Sequence, residues 1–358
     1  MEKIKELKKK FKKFNLDGYL IPKNDEFFSE YVPENKDNLK FISNFSGSYG
    51  FALILKKKNY LFVDGRYTLQ AKIQSGKLFN IITIPNKLPS DILKNQKLTI
   101  GFDPKLHTEL MLTRLFRDNR FKLISLAENL VDNIWKKKKE TKLKKFFTLS
   151  DKDAGQSFKS KINQLSKLLH KNKINLQFIS ASENLAWLLN LRGNDSEFTP
   201  IPNGYLILDN KQNVNFFCNL KKVNNKIKRD LKDVKIIDIK YINSFLLKIR
   251  KKRIQIDKAS CSIFFKNILK QNNTIIEIDD PVYFLKSIKN KIEIKNTIKT
   301  HIYDGAALTK FIFWVKNNFK TKKITEMSAQ EKLLKIRKNN KTFKSLSFPT
   351  ISGSGPNG

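Results

Sequence analysis

The sequence predicts an α/β protein made of two copies of one unit followed by a shorter third block. Strand-like apolar runs alternate with helical patterns along the first 280 residues or so, as in layered α/β domains. A helix-then-strand passage near residues 38–54 recurs near 184–208. The length of 358 residues suits two or three domains of roughly 100–150 residues each. With 40% hydrophobic residues and 28 Phe, the chain can bury real cores, which a disordered chain cannot.

In the first unit an amphipathic helix opens the chain, with Ile4, Leu7, Phe11 and Phe14 at helical spacing. A strand at residues 18–21 is expected to stop at Pro22, and two more at 50–55 and 60–63 are joined by a polar turn at 56–59. Another at 98–102 ends at Asp103-Pro104. The lysine-rich residues 136–145 read as a linker.

The second unit repeats the first. A helix over 158–169 leads to a strand at 176–179. The helix-like passage 184–193 (Asn-Leu-Ala-Trp-Leu-Leu-Asn-Leu-Arg-Gly) mirrors 38–47 (Asn-Leu-Lys-Phe-Ile-Ser-Asn-Phe-Ser-Gly), and the strand 204–208 mirrors 50–54. The third block starts near Asp280-Pro281. A long helical pattern runs on to Asn317, with Ile294, Ile298 and Ile302 and then Ala307, Phe311, Trp314 and Val315 along it. A capping box at Ser328-Ala329-Gln330-Glu331 should head a helix over 332–337, and a strand is expected near 348–351. Under 80 residues can hardly close a core alone, so this block either packs on the others or is the opening of a longer domain.

The formal charge is +38, from 71 Lys+Arg against 33 Asp+Glu. Only nine of the basic residues are Arg, the better reader of phosphates and bases. The lysine runs are short and scattered, which reads as solvated surface rather than a nucleic-acid footprint. The longest uncharged apolar run, residues 51–55, is far short of a membrane span. No secretory leader is expected from residues 1–14, which interleave Lys with Ile, Leu and Phe. Two cysteines, Cys218 and Cys261, cannot build a disulfide framework and fit a reducing cytosol.

The inventory for catalysis is thin. His107, His170 and His301 are the three histidines, none at ligand spacing from another His or a Cys, and each reads as structural. No phosphate-loop or nucleophile-elbow spacing is present. Two polar clusters stand out. In Val63-Asp64-Gly65-Arg66-Tyr67, directly after a strand, Gly65 would permit a tight turn. Arg66 could then offer its fork to a carboxylate or peptide carbonyl, or Asp64 and Arg66 could simply cap the strand. Leu191-Arg192-Gly193-Asn194-Asp195 is the second, either a ligand loop or a polar closure of the preceding helix.

These passages carry a resemblance. Residues 19–26 (Tyr-Leu-Ile-Pro-Lys-Asn-Asp-Glu), 29–33, 44–48, 64–71, 182–195, 301–308 and 347–358 are similar, in order and over almost the whole chain, to the cytosolic three-domain Xaa-Pro aminopeptidases, the creatinase-like aminopeptidase P family. The resemblance implies two creatinase-type N-terminal α/β domains, each a mixed sheet with flanking helices (residues 1–145 and 146–283). It also implies the beginning of a pita-bread peptidase domain (284–358). In that family the pita-bread domain binds two divalent ions, usually Mn2+, through two Asp, two Glu and one His. These activate a water against the peptide bond before proline. The family's His and all five metal ligands follow the Ser-Gly-Ser-Gly-Pro-Asn segment, and no residue up to Gly358 matches them. The expectation is therefore a fragment without activity of its own and with no assignable catalytic or metal residue. Arg66 matches a substrate-peptide-contacting Arg and is the single substrate-binding residue carried over. The resemblance further implies a peptide substrate with proline second, a homodimer and a cytoplasmic location, with no nucleic-acid or membrane partner. The alternative is a non-catalytic creatinase-like module that binds peptide or protein.

Overall fold

The strands of both units are apolar along most of their length because each sheet is covered on both faces. The computed structural model describes residues 1–94, 96–117, 120–136 and 143–357. In the first unit β1 (Gly18–Pro22), β2 (Gly50–Leu55), β3 (Asn59–Asp64), β4 (Asn80–Ile84), β5 (Leu98–Phe102) and β6 (Phe121–Ser125) form one sheet in the order β4-β3-β2-β1-β5-β6. β2 runs antiparallel to β1 and β3, and all other neighbours are parallel. One face presents Tyr19, Ile21, Ala52 and Ile54 to α1 (Glu2–Phe11), α2 (Asn38–Ser43) and α3 (Thr68–Ser75), meeting Ile4, Leu7, Phe11, Leu39, Ile42 and Ala71. The other presents Leu20, Leu53, Phe62, Ile100 and Phe102 to Leu88 and Leu93 beside α4 (Pro89–Ile92) and to Leu112 of α5 (Glu109–Leu115).

The second unit has the same topology. Of β7 (Phe147–Thr148), β8 (Leu176–Ile179), β9 (Leu191–Arg192), β10 (Tyr205–Asp209), β11 (Val214–Cys218), β12 (Val234–Asp238), β13 (Arg253–Ile256) and β14 (Thr274–Glu277), six form a sheet in the order β12-β11-β10-β8-β13-β14. β10 is antiparallel to its two neighbours and the rest are parallel, as in the first sheet. β7 and β9 pair as a separate ribbon. The helices are α6 (Asp151–Ala154), α7 (Phe158–Lys171), α8 (Ser182–Leu188), α9 (Asn225–Asp230), α10 (Ile242–Leu246) and α11 (Ile263–Lys270).

The repeat reaches single residues. Asn44 and Asn190 both turn left-handed, at φ 64° and 49°, the conformation Asn tolerates better than most side chains. A Cβ on Gly50 would lie 2.6 Å from the Phe62 carbonyl oxygen, and one on Gly204 2.7 Å from that of Phe217. In both units the neighbouring strand passes too close for any side chain. The two units are docked: Ile263 of α11 packs into the first core, and Phe27 packs against the second. The Ile263 and Phe264 amides donate to the His107 and Pro104 carbonyls at 2.9 and 3.0 Å. Lys266 bridges Glu109 and Glu277, at 2.5 Å to the latter.

Some expectations are corrected. Residues 12–14 tighten into a 3-10 turn after α1. β1 does stop at Pro22, its last residue, opposite Phe51. Leu191 and Arg192 are strand rather than helix, because Asn190 has already reversed the chain. Of the expected linker, residues 137–142 lie outside the described residues. The long helix is two helices, α12 (Pro281–Ser287) and α13 (Lys291–Asn318), separated where Asn290 begins a new capping box with Glu293. The expected division at 283/284 falls inside α12. The last helix, α14 (Glu326–Lys338), starts earlier than expected. Thr325 is its cap and accepts from the Ser328 amide at 3.1 Å, while Ser328 Oγ accepts from the Thr325 amide at 2.9 Å. Residues 348–351 form no strand.

Candidate functional site

The feature that brings the sequence clusters together is a cleft of about 1120 Å3 between the two units and the C-terminal segment. Its first wall comes from the loop after β1, where Lys23 forms a buried ion pair with Asp37, each side chain 6% exposed. Asp37 also caps α2 by accepting from the Lys40 amide at 3.0 Å, so this pair fixes the start of the helix. The Ser46-Gly47-Ser48 turn follows. A Cβ on Gly47 would strike the Phe45 ring at 2.2 Å, and Ser48 Oγ lies 2.8 Å from the Tyr67 hydroxyl.

The second wall is the loop 194–203. Asp195 pairs with Lys222, their side chains 5% and 14% exposed, and accepts from the Asn203 amide at 2.7 Å. Tyr31 meets Phe198 edge-on at 5.2 Å across the units. Leu334 and Lys338 of α14, with residues 343–346, make the third wall.

Arg66 sits at the rim and does not itself line the cleft, although Tyr67 and Gln70 do. It is the middle residue of a 3-10 turn, Gly65–Tyr67, directly after β3. Its amide donates to Asp64 Oδ1 at 3.0 Å, and its guanidinium reaches the same carboxylate at 2.6 Å from Nη2. That fork holds the Asp64 carboxyl below its ordinary range. The Arg66 side chain remains 70% exposed and lies over the Tyr67 ring at 5.2 Å. The structure thus shows the strand-capping turn, with the guanidinium still open to solvent. Gly65 is not what makes it: the residue has no positive φ and open space where a Cβ would stand. The Asp64 side chain shapes the turn instead.

The second cluster divides. Arg192 is structural, its Nη1 donating to the Ala186 and Leu191 carbonyls at 2.8 and 3.0 Å. Asn194 and Asp195 line the cleft.

The histidines do not converge. His107 is wholly buried, with Nδ1 2.8 Å from the Asp103 carbonyl, and burial pushes it down to about 4. His170 lies in the last turn of α7 and His301 lies exposed on α13. Cys218 and Cys261 are buried free thiols, both pushed upward by burial, Cys218 to about 12. Among the described residues no group of three or more His, Cys, Asp or Glu could hold a metal ion. The described residues therefore do not fit a two-metal centre.

Sequence reasoning missed the buried polar groups. Asp280, expected only to mark a boundary, accepts from Gln177 Nε2 at 2.6 Å, Asn184 Nδ2 at 2.7 Å and the Val282 amide at 2.9 Å. It ties α12 to the second unit, and burial pushes its carboxyl up to about 6. Its position beside Pro281 resembles any helix start, so no local signal marks it.

Comparison with known proteins gives a consistent picture. Models of the creatinase/prolidase N-terminal domain match residues 3–132 and 137–293. Over its full length the chain is 33% identical to a probable Xaa-Pro aminopeptidase P of Laccaria bicolor, covering 58% of that protein. It is 31% identical to Xaa-Pro aminopeptidase 1 of Dictyostelium discoideum, covering 60%. The chain thus spans about three fifths of the length of such relatives. In structure it matches an X-prolyl aminopeptidase of Caenorhabditis elegans, a cytosolic enzyme with a di-nuclear active site, with a TM-score of 0.90. That match has 23% identity and covers all of this chain and 64% of the other.

Proposed function

The chain belongs to the creatinase/prolidase N-terminal domain family, and from that premise we propose that it is the amino-terminal part of a metal-dependent Xaa-Pro aminopeptidase. That activity releases the first residue from peptides whose second residue is proline. The observation that carries the proposal is collinear similarity: both units and the third block align end to end with proteins of that name.

In this reading the two-unit body supplies peptide binding. The cleft's mixed charges and its aromatic side chains Tyr31, Phe198 and Tyr67, the first two paired edge-on, suit a short polar peptide. Arg66 contacts the substrate by exchanging one arm of its fork from Asp64 to a peptide carbonyl or carboxylate. The family's pair of divalent ions, Mn2+ by expectation, finds no ligand set among the described residues, so residues 1–358 bind but do not hydrolyse. A cytosolic location and a homodimer complete the proposal. Size-exclusion chromatography with light scattering at micromolar concentration tests the second.

A non-catalytic peptide- or protein-binding module is the second reading, favoured by the large cleft between the two units. The coding sequence past codon 358 separates the two. An open frame carrying one His, two Asp and two Glu in the family's spacing supports the enzyme, and a stop supports the module. Arg66 is tested in either case by titrating a Xaa-Pro tripeptide into the chain and into Arg66→Ala. Weakening of about tenfold or more is expected, the worth of one charge-assisted hydrogen bond. Equal affinities would remove Arg66 from the site.

A further inference from the structure

A second cavity, of about 470 Å3, lies beyond Lys36 from the cleft, where the first unit meets the second. Its position follows from topology. β1, β5 and β6 are adjacent and parallel, so their carboxyl ends share one edge of the sheet. Between β1 and β5 the strand order reverses direction, and open α/β sheets bind ligands in the crevice at such a switch point. The loops leaving these three strands supply Asp25, Asp103 and Asn129 to the cavity, and α2 supplies Asn38. The second unit closes the mouth with aromatic walls, Tyr205, Phe264 and Phe265, and Phe27 stacks on Tyr205 at 5.2 Å.

Two buried side chains of this wall have an oxygen without a partner. Asp25 is 1% exposed. Its Oδ1 accepts from the Phe27 and Ser29 amides at 3.0 and 3.1 Å, while Oδ2 is bonded by none of the described residues. Asn38, 5% exposed, has an unpartnered Oδ1. Both are acceptors, so a fitting ligand must bring donors. The local charge agrees. In a chain of net +38 the cavity is lined by Asp25, Glu26, Asp103 and Asp132 against Lys36 and Lys105. Its rings already receive ammonium groups from the rim: Lys36 lies 5.2 Å from the Phe27 ring and Lys105 5.0 Å from that of Phe264. Acceptors in a partly aromatic, locally acidic chamber are the chemistry that holds an alkyl chain ending in ammonium or guanidinium, and the volume is that of a small-molecule site.

We propose that the cavity between the two units, walled by Asp25 and Asn38 on one side and Tyr205, Phe264 and Phe265 on the other, binds a small organic cation of the alkylamine or alkylguanidine class. The site is independent of the peptidase reading. Calorimetric titration of the chain with agmatine at low salt tests it, with N-acetyl-arginine amide as a second arm and glutarate as the anionic control. Saturable binding of agmatine is expected, and none of glutarate. Binding of the arginine amide as well would assign the site to an arginine side chain of a peptide rather than to a free amine. Asp25→Asn keeps the oxygen that accepts from Phe27 and Ser29, and should weaken binding about tenfold or more. Asn38→Ala, which leaves the α2 cap at Asp37 intact, should weaken it severalfold and carries the test should Asp25→Asn fold poorly. No binding of either cation, equal binding of glutarate, or affinities unchanged in both variants would overturn the proposal.

Discussion

Two buried groups give this molecule opposing pH sensitivities that conceal each other. Burial raises the Asp280 carboxyl from 3.8 to about 6. The folded chain therefore binds that proton more readily than the unfolded one, and stability falls as pH rises from about 4 to about 6. Burial lowers His107 from 6.5 to about 4. Here the unfolded chain takes the proton more readily, and stability is lost as pH falls through that same range. Each effect is worth about 3 kcal/mol, so the pair nearly cancels. Urea unfolding at pH 4 and pH 6 should show Asp280→Asn gaining stability with pH and His107→Gln losing it, with the parent chain flatter than either. Parallel pH slopes for all three proteins would contradict the assignment. Arg66 offers a contrast. Its exposed fork onto Asp64 is a solvent-screened surface ion pair, so Arg66→Ala should leave the unfolding midpoint nearly unchanged whatever it does to peptide affinity.

Elements were legible where one pattern decided them. Six strands, β1, β2, β3, β5, β8 and β10, announced themselves as short apolar runs, whereas β4, β6 and β11–β14 went unread, and the recurrence of 38–54 at 184–208 correctly implied two units of one topology. What stayed hidden depended on contacts far apart in sequence. Asn290 starts a new helix partly because its side chain also donates to the Ala154 carbonyl, at 2.9 Å, which no local window reveals. The cleft is assembled from segments near 23–48, 194–203 and 334–349, so neither of its buried ion pairs could be read beforehand. Arg66 was legible as a turn residue with two meanings, and the Asp64 contact establishes the structural one. The repeat makes its own prediction. Gly50→Ala and Gly204→Ala each force a Cβ against a neighbouring strand's carbonyl, and each should cost roughly 2–4 kcal/mol in chemical denaturation. A tolerated substitution at either would mean that strand pairing is looser than 2.6–2.7 Å allows.

At the scale of the whole molecule, the cores lie in the two units and an open apolar surface lies on the third block. Of the 28 residues of α13 only Ala307 is buried, while Ile294, Ile298, Ile302, Ile312 and Phe313 are about half exposed or more. Such a face is larger than isolated surface apolar residues would account for. A chain ending at Asn290 should therefore unfold at nearly the same midpoint as the full chain and bind markedly less of a hydrophobic dye such as ANS. A large drop in midpoint would show that α13 and α14 support the cores after all. The +38 charge, spread over scattered lysines, shapes solubility more than partners, and no helix among the described residues is long and apolar enough to cross a membrane. The most direct test extends the chain through the coding sequence beyond codon 358 and assays both proteins, with Mn2+, for release of the first residue from a Xaa-Pro tripeptide. Mn2+-dependent release by the extended protein, and none by residues 1–358, is the expected outcome. Hydrolysis by residues 1–358 alone, or an extended protein that releases nothing, would contradict it.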